Sequence, residues 1–77
     1  MKIYLDSNVF IYYALRHQQH FEKCSQMLGT ISSGEHKGVI SVHVLGEVYR
    51  VVKKDVGVQA ALTITDAILS LPFEIVE

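Results

Sequence analysis

Seventy-seven residues set a ceiling of one small domain, and a chain that short buries only about 60% of the surface its unfolded form exposes. Hydrophobic residues make up 49% and charged residues 19%, an apolar excess that so little polar surface covers only with a partner: a second copy, another protein or a further portion of the same domain. Seven Lys and Arg against eight Asp and Glu exclude a global electrostatic pull toward nucleic acid or an anionic membrane, so any nucleic-acid role needs a local basic patch.

The chain opens on a short apolar run, Ile3-Tyr4-Leu5, which suits a buried strand. Asp6-Ser7-Asn8 follows with three good helix-capping residues, and Val9 to Leu15 is apolar, so a strand-to-helix turn is expected here. That helix fades over the polar residues Arg16 to Gln19. A second helix begins near His20, with Phe21, Cys24, Leu28 and Ile31 spaced three, four and three apart on one face. Ser32-Ser33-Gly34 ends it, and Val39 to Val42 is a second strand candidate.

From His43 to Lys54 the pattern is helical again, with Ser41 or His43 near its start. Val44, Leu45, Val48, Val51 and Val52 share one arc at about 100° per residue, Arg50, Lys53 and Lys54 lie opposite, and Glu47 sits at the border. After Asp55-Val56-Gly57, the segment from Val58 to Leu71 carries its polar residues Gln59, Thr63, Asp66 and Ser70 in one narrow stripe. Such a helix is expected to be covered on most sides. Pro72 stops it, and Phe73 to Val76 is a third short strand. Strand, two helices, strand, two helices, strand is an α/β order with helical crossovers, and its simplest form is a parallel sheet.

The single cysteine, Cys24, forms no internal disulfide, and Asp6 breaks the N-terminal apolar run, so no signal peptide is read there. A reducing, cytoplasmic setting is expected. No apolar stretch reaches the roughly 20 residues that span a bilayer.

In open parallel sheets, sites form beyond the carboxyl ends of the strands, where Asp6 stands. Asp6 is either a turn or capping acid, or, if Ser7 and Asn8 cap the helix, a free carboxylate with oxygen neighbours suited to a hard cation such as Mg²⁺ or Mn²⁺. Glu47 rises from the same sheet edge and is either an i,i+3 partner for Arg50 or a second acid facing Asp6. His17, His20 and Cys24 have zinc-capable spacing only on a continuous helix, which the polar break argues against, and a fourth ligand is not evident. His36 and His43 read as loop and helix-start residues. No phosphate-binding glycine loop is present, and Cys24 on its apolar face reads as an inert buried thiol. Tyr4, Tyr12, Tyr13 and Tyr49 read as amphipathic residues at the edge of the core rather than stacking platforms.

With LDSN closing the first strand, VFIYYAL after it, and ISVHVLGEVYRVV carrying Glu47, the chain resembles the N-terminal portion of a PIN domain, residues 1–77 covering part of one such domain. Within that family the single-domain ribonucleases of the VapC toxin type are most similar. The resemblance implies a three-layer α/β/α fold, here truncated to three short parallel strands and about four helices. It further implies a Mg²⁺- or Mn²⁺-dependent endoribonuclease, with Asp6 as first metal ligand, Glu47 as second acid, and Ser7 and Asn8 as polar neighbours of the metal. Arg50, Lys53 and Lys54 either help hold RNA or form a solvated helix face. An antitoxin protein would be the partner.

The chain departs from the family in its remaining acids. These come from later elements, and Asp55, Asp66, Glu74 and Glu77 are poorly placed to replace them. The family's sheet puts the first strand in the middle, so in this chain that strand becomes an open edge that invites a complementing chain or a second copy. Three functions follow: an incomplete ribonuclease, a catalytically inactive interaction module, or a self-associating fragment.

Overall fold

The computed structural model describes all residues from Met1 to Glu77. Its elements are β1 (Lys2–Tyr4), α1 (Ser7–Ala14), α2 (Phe21–Ser32), β2 (Lys37–Ser41), α3 (Val42–Asp55), α4 (Val58–Ser70) and β3 (Glu74–Val76). The sheet is parallel in the order β1-β2-β3, with Ile3 opposite Gly38 and Ile40 opposite Ile75. The expected α/β class, with three parallel strands and four helices, is therefore what the chain forms. β1 bonds only to β2 and stands at an open edge, as expected.

Parallel strands need crossovers, and with the order 1-2-3 two right-handed crossovers place their helices on one face of the sheet. Side chains alternate along a strand, and Leu5 and Ile40 join Phe10, Leu28, Ile31, Val48, Val52, Ala61 and Ile68 in one buried cluster. The Cα envelope measures 34 × 29 × 17 Å. Its thin direction holds a sheet and one layer of helices about 10–12 Å across. On the opposite sheet face Tyr4 is exposed, and Lys2 and Glu74 meet across the central strand at 3.2 Å, beside the buried Val39.

Only 13 of 77 residues are buried, so the core is thin and small volume changes count. Gly38 on β2 shows this directly: a Cβ there would lie 2.6 Å from the Phe73 ring and 2.9 Å from Ile31 Cδ1. The space is occupied by Phe73, which meets Phe10 edge-on at 5.5 Å.

The face of α2 falls where its spacing put it, with Cys24, Leu28 and Ile31 buried. On α3, Val48 and Val52 are buried while Val44, Leu45 and Val51 are half-buried. α4 departs from expectation. Ala61 and Ile68 are buried, but Val58, Leu62 and Leu69 are 45–53% exposed, along with the polar stripe. Its inner side packs on α3, and no element of this chain lies over its outer side, so an apolar circumference does not become a covered one. The tight α3–α4 link is made by Gly57 at φ 119°, a conformation that costs glycine little.

Candidate active site

β1 ends at Tyr4, and the chain turns through Leu5 and Asp6 into α1. Asp6 is the N-cap: its backbone is extended, and its Oδ1 accepts from the backbone N–H of Asn8 at 3.0 Å. Of the two readings open in the sequence, the capping one holds, and Ser7 and Asn8 do not cap the helix in its place. The three residues are equally suited to capping, and helix initiation one residue earlier hands the role to Asp6.

Ser7, released from capping, is buried at 8% exposure, and its Oγ donates to Glu47 Oε1 at 2.5 Å. Glu47 comes from α3, which starts directly off β2 with Ser41 as its N-cap; Ser41 Oγ accepts from the Val44 N–H at 3.3 Å. Helices α1 and α3 pack against each other. Both start at the carboxyl edge of the sheet, so two short caps, Asp6 and Ser41, deliver the Asp6-Ser7 pair and Glu47 to one place. Glu47 forms no ion pair with Arg50; its carboxylate is engaged by Ser7 instead.

Asp6, Asn8 and Glu47 are exposed, so the arrangement opens to solvent. Each carboxylate uses one oxygen within the protein and keeps the other free. Burial pushes the Cys24 thiol up from its ordinary pKa, and the nearby Asp6 carboxylate adds to that rise. The thiol of α2 thus lies within the field of Asp6. Sequence spacing did not single out this neighbour, although α2 must run back from the carboxyl edge to reach β2, which brings its first turns close to Asp6.

Arg50 and Lys53 are exposed on α3, with Lys53 Nζ 5.9 Å from the centre of the Tyr49 ring, and neither forms an ion pair. The zinc arrangement does not form: His17 and His20 stack ring on ring, and nowhere do three or more His, Cys, Asp or Glu converge as a metal site. The oxygen donors gathered by Asp6 and Glu47 nevertheless suit a hard cation. Mg²⁺ is commonly held by one or two carboxylates, its shell filled by water and substrate phosphate.

The model of the PIN domain family matches residues 3–77, and the chain belongs to that family. PIN domains are nuclease-type proteins that generally depend on a divalent metal, and many bind RNA. No curated protein matches the chain in sequence. No helix is long and apolar enough to cross a membrane.

Proposed function

We propose that the chain supplies one wall of a Mg²⁺- or Mn²⁺-dependent endoribonuclease of the VapC toxin type. The observation that carries this reading is the Ser7–Glu47 hydrogen bond, which ties Glu47 of α3 to the residue next to Asp6 at the sheet edge where α/β sites form. Asp6 and Glu47 would hold the cation through their free oxygens, with Ser7 fixing the Glu47 carboxylate and Asn8 extending the polar rim. A divalent ion there supplies charge for the phosphodiester and lowers the pKa of a water. Asp6 and Glu47 alone make an open site, with room on the cation for water and substrate phosphate.

Two surfaces support the partner assignments. The groove between α1, α2 and α4, floored by Phe10, Tyr13, Ile64 and Ala67, has the apolar lining that suits an amphipathic helix of an antitoxin. The open edge of β1 suits a complementing chain or a second copy. Function in the cytoplasm belongs to the same reading.

The test is RNA cleavage with Mn²⁺, by the chain alone and with the rest of a PIN domain supplied in trans. Cleavage is expected only in the complemented sample, and Asp6→Asn or Glu47→Gln abolishes it. Metal-independent cleavage by the 77 residues alone refutes the assignment. An inactive interaction module is the outcome if an antitoxin helix binds and no metal does.

A further inference from the structure

Three ring side chains that the site does not use cluster at the α1–α2 connection. Tyr12, His17 and His20 form a triangle of rings with centroids 4.6, 4.9 and 4.8 Å apart, and His20 lies within 25–28° of parallel to each of the other two. Tyr12 stands one turn of α1 beyond Asn8 and so on the same face, about 9 Å along the helix axis from Asp6. His20 lies one turn before Cys24, whose N–H it accepts at 3.0 Å, and Cys24 is the thiol that feels the Asp6 charge. The rings therefore stand one helical turn from Asn8 along α1 and one from Cys24 along α2.

A structural role for these rings is already filled. The α1–α2 connection is held by backbone bonds from His17 N to Tyr12 O at 2.8 Å and from Phe21 N to His17 O at 2.9 Å. A separate stack, Tyr13 on Phe21 at 5.3 Å and 9°, ties the two helices. The Tyr12 triangle adds little to that and stays accessible, with His20 exposed and Tyr12 and His17 half-buried. Its only ring hydrogen bond is from Gln19 N to His17 Nδ1 at 3.2 Å, so the Tyr12 hydroxyl and the His20 nitrogens remain free to solvent. Arg16, whose guanidinium lies 5.7 Å from the centre of the Phe21 ring, forms no ion pair and is the cation of the α1–α2 connection.

We infer that Tyr12, His17 and His20 form a stacking platform for an unpaired base of single-stranded RNA, seating the nucleotide next to the phosphate at Asp6 and Glu47. Exposed aromatic rings beside cations are the recurring means of holding single strands, because every base has a stackable face. This inference rests on the ribonuclease reading and adds to it a binding site for the substrate.

The experiment is NMR of the chain in a metal chelator, titrated with a short single-stranded RNA and with an abasic oligoribonucleotide of equal length. Ring resonances of Tyr12, His17 and His20 are expected to move upfield with RNA and not with the abasic strand. His20→Ala, at an exposed position, is expected to weaken RNA binding at least about fivefold while leaving abasic binding unchanged, and Tyr12→Phe retains RNA affinity. Equal shifts with both strands, no shift with RNA, or parental affinity in His20→Ala overturns the platform. Asp6→Asn separates the two ideas. Its ring shifts persist if the platform exists, whereas metal-dependent cleavage surviving in a complemented Asp6→Asn protein refutes the nuclease centre and leaves the stacking result standing.

Discussion

Replacing Ser7 by Ala asks whether the two acid-bearing elements are energetically joined. Ser7 is 8% exposed, and its Oγ donates to Glu47 at 2.5 Å, within the short range of a hydroxyl bound to a charged carboxylate. Hydrogen bonds to charged groups contribute about 1.5–3 kcal/mol. Glu47 is exposed and recovers water when Ser7 is lost, so the lower end, about 1.5 kcal/mol, applies here. Alanine removes one atom and is a good helix former, so neither a large cavity nor a propensity cost adds to this. Total stability for a chain this size is about 4–12 kcal/mol at about 0.05–0.15 kcal/mol per residue, which makes the loss substantial. With a urea slope of about 1 kcal/mol/M, the midpoint falls by about 1.5 M. Repeating the substitution in a Glu47→Ala background closes a double-mutant cycle. A coupling near 1.5 kcal/mol is expected, and a coupling below about 0.3 kcal/mol, the level of independent sites, refutes the account.

Other substitutions separate packing, capping and charge. Gly38→Ala drives a Cβ against Phe73 and Ile31 and is expected to cost about 1–3 kcal/mol, read as a lower melting temperature; an unchanged melting curve means the ring simply moves aside. Asp6→Asn keeps a capping oxygen and leaves urea stability within about 0.5 kcal/mol, while Asp6→Ala loses about 1 kcal/mol; equal stability of the two denies the cap. Both lose Mn²⁺ binding by calorimetry under the proposed function. For Cys24, the raised thiol pKa favours the neutral form in the folded state. Its contribution to stability is therefore complete below the ordinary thiol range and is lost as pH rises through the folded pKa. Native alkylation of Cys24 is expected to be slower than in urea and to accelerate only at alkaline pH, and equal rates at neutral pH contradict this.

What the sequence made legible is what local chemistry decides. The three-four-three spacing located the buried side of α2, the apolar runs located the strands, and Pro72 marked the end of α4. Asp6 was legible as a residue of the sheet edge and as one candidate cap, but the choice among three adjacent capping residues depends on where the helix starts. The partner of Glu47 was not legible. Arg50 is three residues away and Ser7 forty, and only the fold decides that Ser7 arrives first. The exposure of α4 escaped for a related reason: Leu62 and Leu69 report a preference for cover, while cover depends on what else is present. The Tyr12 ring cluster depends on the turn at Arg16, which takes φ 53°, a conformation that the residue type does not announce.

The capping of α1 by Asp6 and the proposed metal role for the same carboxylate support each other. A helix N-terminus carries about half a positive charge, so an acidic cap is a favourable residue there. One oxygen is held by the Asn8 N–H, which fixes where the other points without consuming it. Glu47 is held in the same manner by a hydroxyl rather than by a cation. Had Arg50 neutralised Glu47, the local charge that attracts a divalent ion would be reduced by half. Dipolar donors instead orient both acids and leave both charges in place. The structural account and the functional one therefore diverge at Asp6→Asn, which preserves the cap, the fold and the Ser7–Glu47 bond while removing one of the two charges.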